Sequence, residues 1–177
     1  MRFISEKKFS VTRYWIYLVI AWSIHNLEEA LTMSKWYEVN ETRFPFVRIT
    51  EYIQIETIQQ IFPIALIIAT VLLFAIPVLA VYKKWDNRFL GIVLGIFLVN
   101  AIQHILTTIV FRGYSPGVIT ALFINLPLSV FMIRRLFKYN LLKNFSWVHI
   151  FAYGVIGFII VIFAIWILTI SIYYVVR

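Results

Sequence analysis

The stretch FLGIVLGIFLVNAIQHILTTIVF, residues 89–111, decides the fold. It contains no Asp, Glu, Lys or Arg. As a helix rising about 1.5 Å per residue it reaches about 34 Å, enough to cross the hydrocarbon core of a bilayer. In lipid only helices and closed barrels satisfy their own backbone, and a continuous apolar run of this length means a helix. Four more apolar runs, at about residues 13–33, 57–82, 117–133 and 147–176, surround it. The chain therefore reads as all-α, a polytopic membrane helix bundle of about five transmembrane helices forming a single integral membrane domain over 1–177. Pro63 and Pro77 in the second run are expected to kink that helix or mark its ends, because each removes an amide donor.

Composition agrees. Of 177 residues 62% are hydrophobic and 14% charged, with a mean hydropathy of +0.89; soluble domains are typically about 45–50% apolar and about 25% charged. A soluble globular protein is excluded. Sixteen Lys and Arg face eight Asp and Glu, and the membrane accounts for that excess as topology, so no nucleic-acid partner is expected. Arg2, Lys7, Lys8, Arg13, Lys83, Lys84, Arg88, Arg134, Arg135, Lys138 and Lys143 fall on one side of the spans, and Lys35, Arg43, Arg48, Arg112 and Arg177 on the other. The positive-inside rule then puts the N-terminus in the cytoplasm and the C-terminus outside, in a multi-pass protein of the cell (plasma) membrane. The chain has no Cys, which excludes disulfides, thiolate metal sites and a cysteine nucleophile.

Inside this apolar frame, a few ionisable residues stand where they are expensive. His25, Glu28 and Glu29 occupy the outer third of the first span. A carboxylate at mid-bilayer costs about 2.5–3.5 kcal/mol on insertion scales, so these groups need partners and cannot face lipid. At about 100° per residue all three lie within roughly a 100° arc of one helix face. In the third span Asn100, Gln103, His104, Thr107 and Thr108 follow helical spacing as a matching polar stripe. The two spans run in the same direction, and His25 and His104 lie at one depth. Glu56, Gln59 and Gln60 open the second span from the same side, where residues 50–60 are expected to extend its helix above the membrane and close over the stripes. Tyr114-Ser115-Pro116-Gly117 forms the turn into the fourth span, with Ser115 suited to the N-cap and Pro116 to the first helical position. The amides of that helix start are a candidate site for an anion or a carbonyl oxygen.

His25-Asn26-Leu27-Glu28-Glu29, then Asn100 to His104, then Tyr114 to Gly117 reproduce in order the motifs HXXEE, NXXXH and YXPG. In this the chain resembles the HXXEE family of small bacterial multispanning membrane proteins. The resemblance implies that these residues form the site and does not supply a reaction.

The residue types point first to a metal. His25 and Glu29, four apart on a helix, can bind one ion together, and His104 supplies a third ligand, a set that suits a divalent metal, zinc above all. Glu28 is a further candidate ligand and Glu56 a weaker one. Either is otherwise free as general base toward water, with Asn100 orienting the His104 ring. The carboxylate count also leaves a di-iron site open. Without a metal, paired carboxylates beside histidines serve acid–base chemistry. That version is similar to the glutamate-dependent CAAX-type membrane endopeptidases, although Met33 stands where their arginine is expected, and to small membrane sterol isomerases.

The reading of function is a membrane-embedded, metal-dependent enzyme acting on a lipid-like or hydrophobic substrate by hydrolysis or proton transfer. His25, Glu28, Glu29, Asn100 and His104 carry the chemistry, and Tyr114, Pro116 and Gly117 bind substrate. Proton or metal-ion transport through the same cluster, or a purely structural polar cluster, are the alternatives.

Overall fold

The computed structural model of the chain describes residues 11–40 and 55–176, with side chains over 11–40 and 60–175. The described residues form α1 (Thr12–Asn40), α2 (Ile55–Tyr82), α3 (Asn87–Phe111), α4 (Val118–Lys138) and α5 (Trp147–Val176), with no strand among them. Residues 50–54, and the side chains of 55–59, Glu56 and Gln59 among them, lie outside what is described. Four helices, α2 to α5, are long and apolar enough to cross a membrane. The first, α1, has the length, 29 residues, but carries Glu28, Glu29, Lys35 and Glu38. The protein is an all-α polytopic membrane helix bundle.

The middle of the bundle is α3: half of its apolar window is buried, against 17% for α2 and 11% for α5, which turn most of their surface outward. Leu90, Leu94 and Phe97 on α3 pack against Leu18 and Ala21 of α1, Met132 and Ile133 of α4 and Ile150 of α5 in one core. The closest helix pair is α3 with α5. A Cβ placed on Gly154 would lie 2.6 Å from the backbone of Gly95, so the two backbones touch where both residues lack a side chain. Association in lipid relies on such close packing rather than on a hydrophobic drive between helices.

Three local features set the site. The last turns of α1 run on past Met33 to Asn40, because Trp36 and Tyr37 are buried and Trp36 packs edge-on against Phe111 at 5.1 Å. After α3, Arg112 adopts a left-handed conformation (φ 51°), and the Gly113 amide donates to Thr108 O. The chain is thereby folded back so that residues 113–117 lie over the outer end of α3. Within α4 the turn Ala121–Asn125 is π-helical. Pro127 lacks an amide proton and its ring crowds the preceding turn, and the wider turn relieves both. In α2, by contrast, Pro63 and Pro77 both lie inside one continuous helix rather than at its ends.

Candidate metal centre

His25, on α1, is almost completely buried, and the four-residue spacing carries Glu29 round to the same face. Opposite them, α3 presents Asn100, His104 and Thr108, each one turn from the next. The remainder of the expected polar stripe turns away. Gln103 donates to Thr107 at 2.8 Å on the exposed side of α3, so a single row of three, rather than a band of five, faces the cluster.

The two imidazoles meet edge to face, with ring centres 4.6 Å apart. His25 Nε2 and His104 Nε2 are 3.2 Å apart, and Glu29 Oε1 lies 3.4 Å from His104 Nε2. Each outer ring nitrogen has its own partner. His104 Nδ1 is 2.7 Å from the Pro116 carbonyl, which can only accept, so Nδ1 carries the proton. The Thr120 hydroxyl has one proton and two acceptors for it, Glu28 Oε2 at 2.6 Å and Gly117 O at 3.1 Å. Toward His25 Nδ1, at 2.8 Å, it therefore accepts, and that nitrogen also carries the proton. In the neutral rings both Nε2 lone pairs consequently converge on the same point, beside a carboxylate oxygen.

That arrangement fits a metal ion. Bonds of about 2.0–2.2 Å to nitrogen and oxygen in a tetrahedral shell put neighbouring ligand atoms about 3.3–3.5 Å apart, close to the 3.2 and 3.4 Å found here. The ligand atoms of His25, Glu29 and His104 all lie within 4.8 Å of one another. Imidazoles that ligate metals almost always anchor the other nitrogen on a carbonyl or a similar partner. Pro116 O and Thr120 Oγ1 supply those anchors.

Glu28 points elsewhere. It accepts from the Ile119 amide at 3.1 Å, the Thr120 amide at 2.8 Å, the Thr120 hydroxyl and the Tyr114 hydroxyl at 2.9 Å. The amides expected to receive a bound anion at the start of α4 are occupied by this carboxylate from α1, which is the side chain that a helix N-terminus favours. The cap residue of α4 is Gly117, with φ +81° and no side-chain cap bond, rather than Ser115. Ser115 is drawn inward instead, pairing with Thr108 Oγ1 at 2.7 Å and donating to His104 O. Gly117 lies against both histidines: a Cβ there would be 2.6 Å from His25 Cε1 and 2.9 Å from His104 Nδ1.

Asn100 approaches His104 at Nε2, at 3.5 Å, so the orientation of that ring is set by Pro116 and not by Asn100. Tyr114 lies at the outer rim. Burial pushes its hydroxyl above the usual phenol range, keeping it a donor to Glu28. It also lines a pocket of about 420 Å³ with Thr32, Lys35 and Trp36. Gln60 does not close over the cluster; it accepts from Tyr173 of α5 at 2.8 Å. From α2, Thr70 accepts from Asn26 at 2.9 Å.

Thr120, Asn26 and Thr70 were not identifiable from the sequence. For Thr120 the signal is faint: it follows the YXPG turn by three residues, where the first helical turn presents an amide and a hydroxyl together. The Thr120→Val variant keeps the shape and removes the anchor of His25, so the affinity for any metal ion held there is expected to fall about 10–100-fold. Competition with a chromophoric chelator measures this, and an unchanged affinity would show that His25 needs no anchor.

The fold and this cluster define a polytopic α-helical membrane protein with a buried His/Glu centre. The family model described as "protein of unknown function with HXXEE motif" matches residues 15–132, and the chain belongs to that family. Among curated proteins it is similar to the uncharacterized protein YrkK of Bacillus subtilis (strain 168), with 29% identity over 133 residues, covering 71% of this chain and 76% of that one. No solved structure matches.

Proposed function

We propose that His25, Glu29 and His104 hold one divalent metal ion, zinc being favoured, in a membrane-embedded enzyme that acts on a lipid-like or otherwise hydrophobic substrate by hydrolysis or proton transfer. The observation that carries this reading is the convergence of two Nε2 lone pairs and a carboxylate oxygen, with both Nδ1 atoms tied back. An ion bound there supplies Lewis acidity, polarising an oxygen or acidifying water. The chain's own residues do the rest. Pro116 O and Thr120 fix the rings, Glu28 fastens α1 to the start of α4, and the core beneath them keeps bulk water out. The pocket beside Tyr114 combines apolar Leu31, Val39 and Phe111 with Lys35 and Thr32, a lining suited to the polar end of an amphiphile.

Elemental analysis of the detergent-purified protein tests the metal. The expected result is about one divalent ion per chain, lost in the His25→Ala/His104→Ala variant. No metal in the wild type, or equal metal in the variant, would sink it.

The same reading has α1 cross the plasma membrane with the other four helices, N-terminus in the cytoplasm and C-terminus outside. The chain contains no Cys, so Lys84→Cys gives a single thiol. In intact cells a membrane-impermeant maleimide should leave it unlabelled and should label it after lysis. Labelling from outside would invert the topology.

A further inference from the structure

Inward of the metal cluster lie two buried asparagines whose bonding is incomplete. Asn125 is completely buried, and neither its amide nitrogen nor its side-chain oxygen has a partner among the described residues. Asn100 is buried as well, and its side-chain oxygen is likewise without one. Such atoms are rare in a folded protein, and each calls for an explanation. In a water-free bilayer interior the demand is stronger still.

Each lies one helical repeat inward of a residue that touches His25. His104 touches His25, and Asn100 is one turn inward of it on α3. Thr120 also touches His25, and Asn125 follows it by five residues across the π turn, whose wider repeat brings residues five apart onto one face. This part of α4 packs against α3 and α1. Its other inward residues are apolar or self-satisfied: Ala121 is fully buried, and the Ser129 hydroxyl donates to the backbone carbonyl of Asn125 at 2.6 Å. Leucine at 125 would leave no amide without a partner there, and the chain instead has asparagine.

We infer that Asn100 and Asn125 form a second polar subsite, one turn inward of His25 and His104, that binds a neutral group able both to donate and to accept hydrogen bonds: a hydroxyl, an ester or amide oxygen of the substrate, or an ordered water. The two amides favour a neutral group, although Asn100 also borders His104. An amide offers one donor group and one acceptor without charge, and no ionisable side chain occurs on α4 between Val118 and Ile133. The inference adds a substrate-facing floor to the metal reading and rests on that reading only for its catalytic meaning.

The test is a crystal structure of the full-length protein grown in a monoolein mesophase at a resolution that shows ordered water. The expected result is density within hydrogen-bond distance of both Asn100 Oδ1 and the Asn125 amide. Compact density identifies water, and density continuous with an acyl chain identifies the hydroxyl or ester of a lipid. Asn125→Leu should lose that density and lower the unfolding temperature despite its more apolar side chain. Side chains of Asn100 and Asn125 bonded to each other or to other protein groups with nothing between them, or an Asn125→Leu protein that is more stable and otherwise unaltered, would overturn the inference. A wild-type protein that lacks metal yet shows this density refutes the metal centre alone.

Discussion

Replacing Glu28 by alanine is expected to destabilise the bundle by about 2–4 kcal/mol, measured by unfolding in a fixed detergent. Glu28 is the acceptor for two backbone amides, the Thr120 hydroxyl and the Tyr114 hydroxyl. Leaving a buried donor without a partner costs about 1–3 kcal/mol, and the exposed side of this cluster, where water can substitute, reduces the sum. The same contact ties α1 to α4, which otherwise meet mainly through Thr120 and the π turn. Glu28→Gln keeps one oxygen as acceptor and should cost about half as much. Because Glu28 is engaged by four donors away from the two Nε2 atoms, the Gln variant should retain metal at wild-type stoichiometry. A change in stability below about 0.5 kcal/mol for Glu28→Ala, the ordinary size for a surface substitution, would show that the carboxylate does not fasten these helices.

The second large effect is expected at Gly117. The residue has φ +81°, where a side chain costs about 1–2 kcal/mol. An alanine Cβ would also stand 2.6 Å from His25 Cε1 and 2.9 Å from His104 Cε1, well inside contact distance, and overpacking of this kind typically costs about 1–3 kcal/mol. Gly117→Ala is therefore expected to lose about 2–4 kcal/mol of stability. The greater consequence is local. The two rings are wedged by this residue on one side, and displacing either of them breaks the 3.2 Å approach of the Nε2 atoms. Metal binding should thus fall further than stability alone explains, a difference read by comparing metal content with the fraction of folded protein. Wild-type stability together with wild-type metal content would contradict the packing described here.

These two positions also show how much the sequence could reveal. The face shared by His25 and Glu29 is a matter of 100° per residue, and the depth match with His104 follows from two spans running the same way. Both could be read without a structure. The split between neighbouring Glu28 and Glu29 could not. Both lie on the polar face of α1, and only the position of α4, on one flank, sends Glu28 to the amides of Ile119 and Thr120 while Glu29 remains beside His104. The register of α4 was equally hidden. Ser115 suits an N-cap by type, yet its hydroxyl is captured by Thr108 and His104 O, and the helix starts two residues beyond Pro116, at Val118. Asn125 faces inward beneath Thr120 only because the intervening turn is π. The extension of α1 to Asn40 depends on Trp36 meeting Phe111, and the diversion of Gln60 depends on Tyr173. Apart from the π turn, which is local, these are contacts between different elements, which periodicity within one helix cannot express.

The proposed centre is one point in space, the meeting place of His25 Nε2, His104 Nε2 and Glu29 Oε1. Anomalous diffraction from crystals of the wild-type protein, collected on both sides of the zinc absorption edge, tests it most directly. A metal ion held there gives one peak per chain, within about 2.0–2.2 Å of all three atoms. No peak at that point, with the two imidazoles joined instead by a direct hydrogen bond, would contradict it.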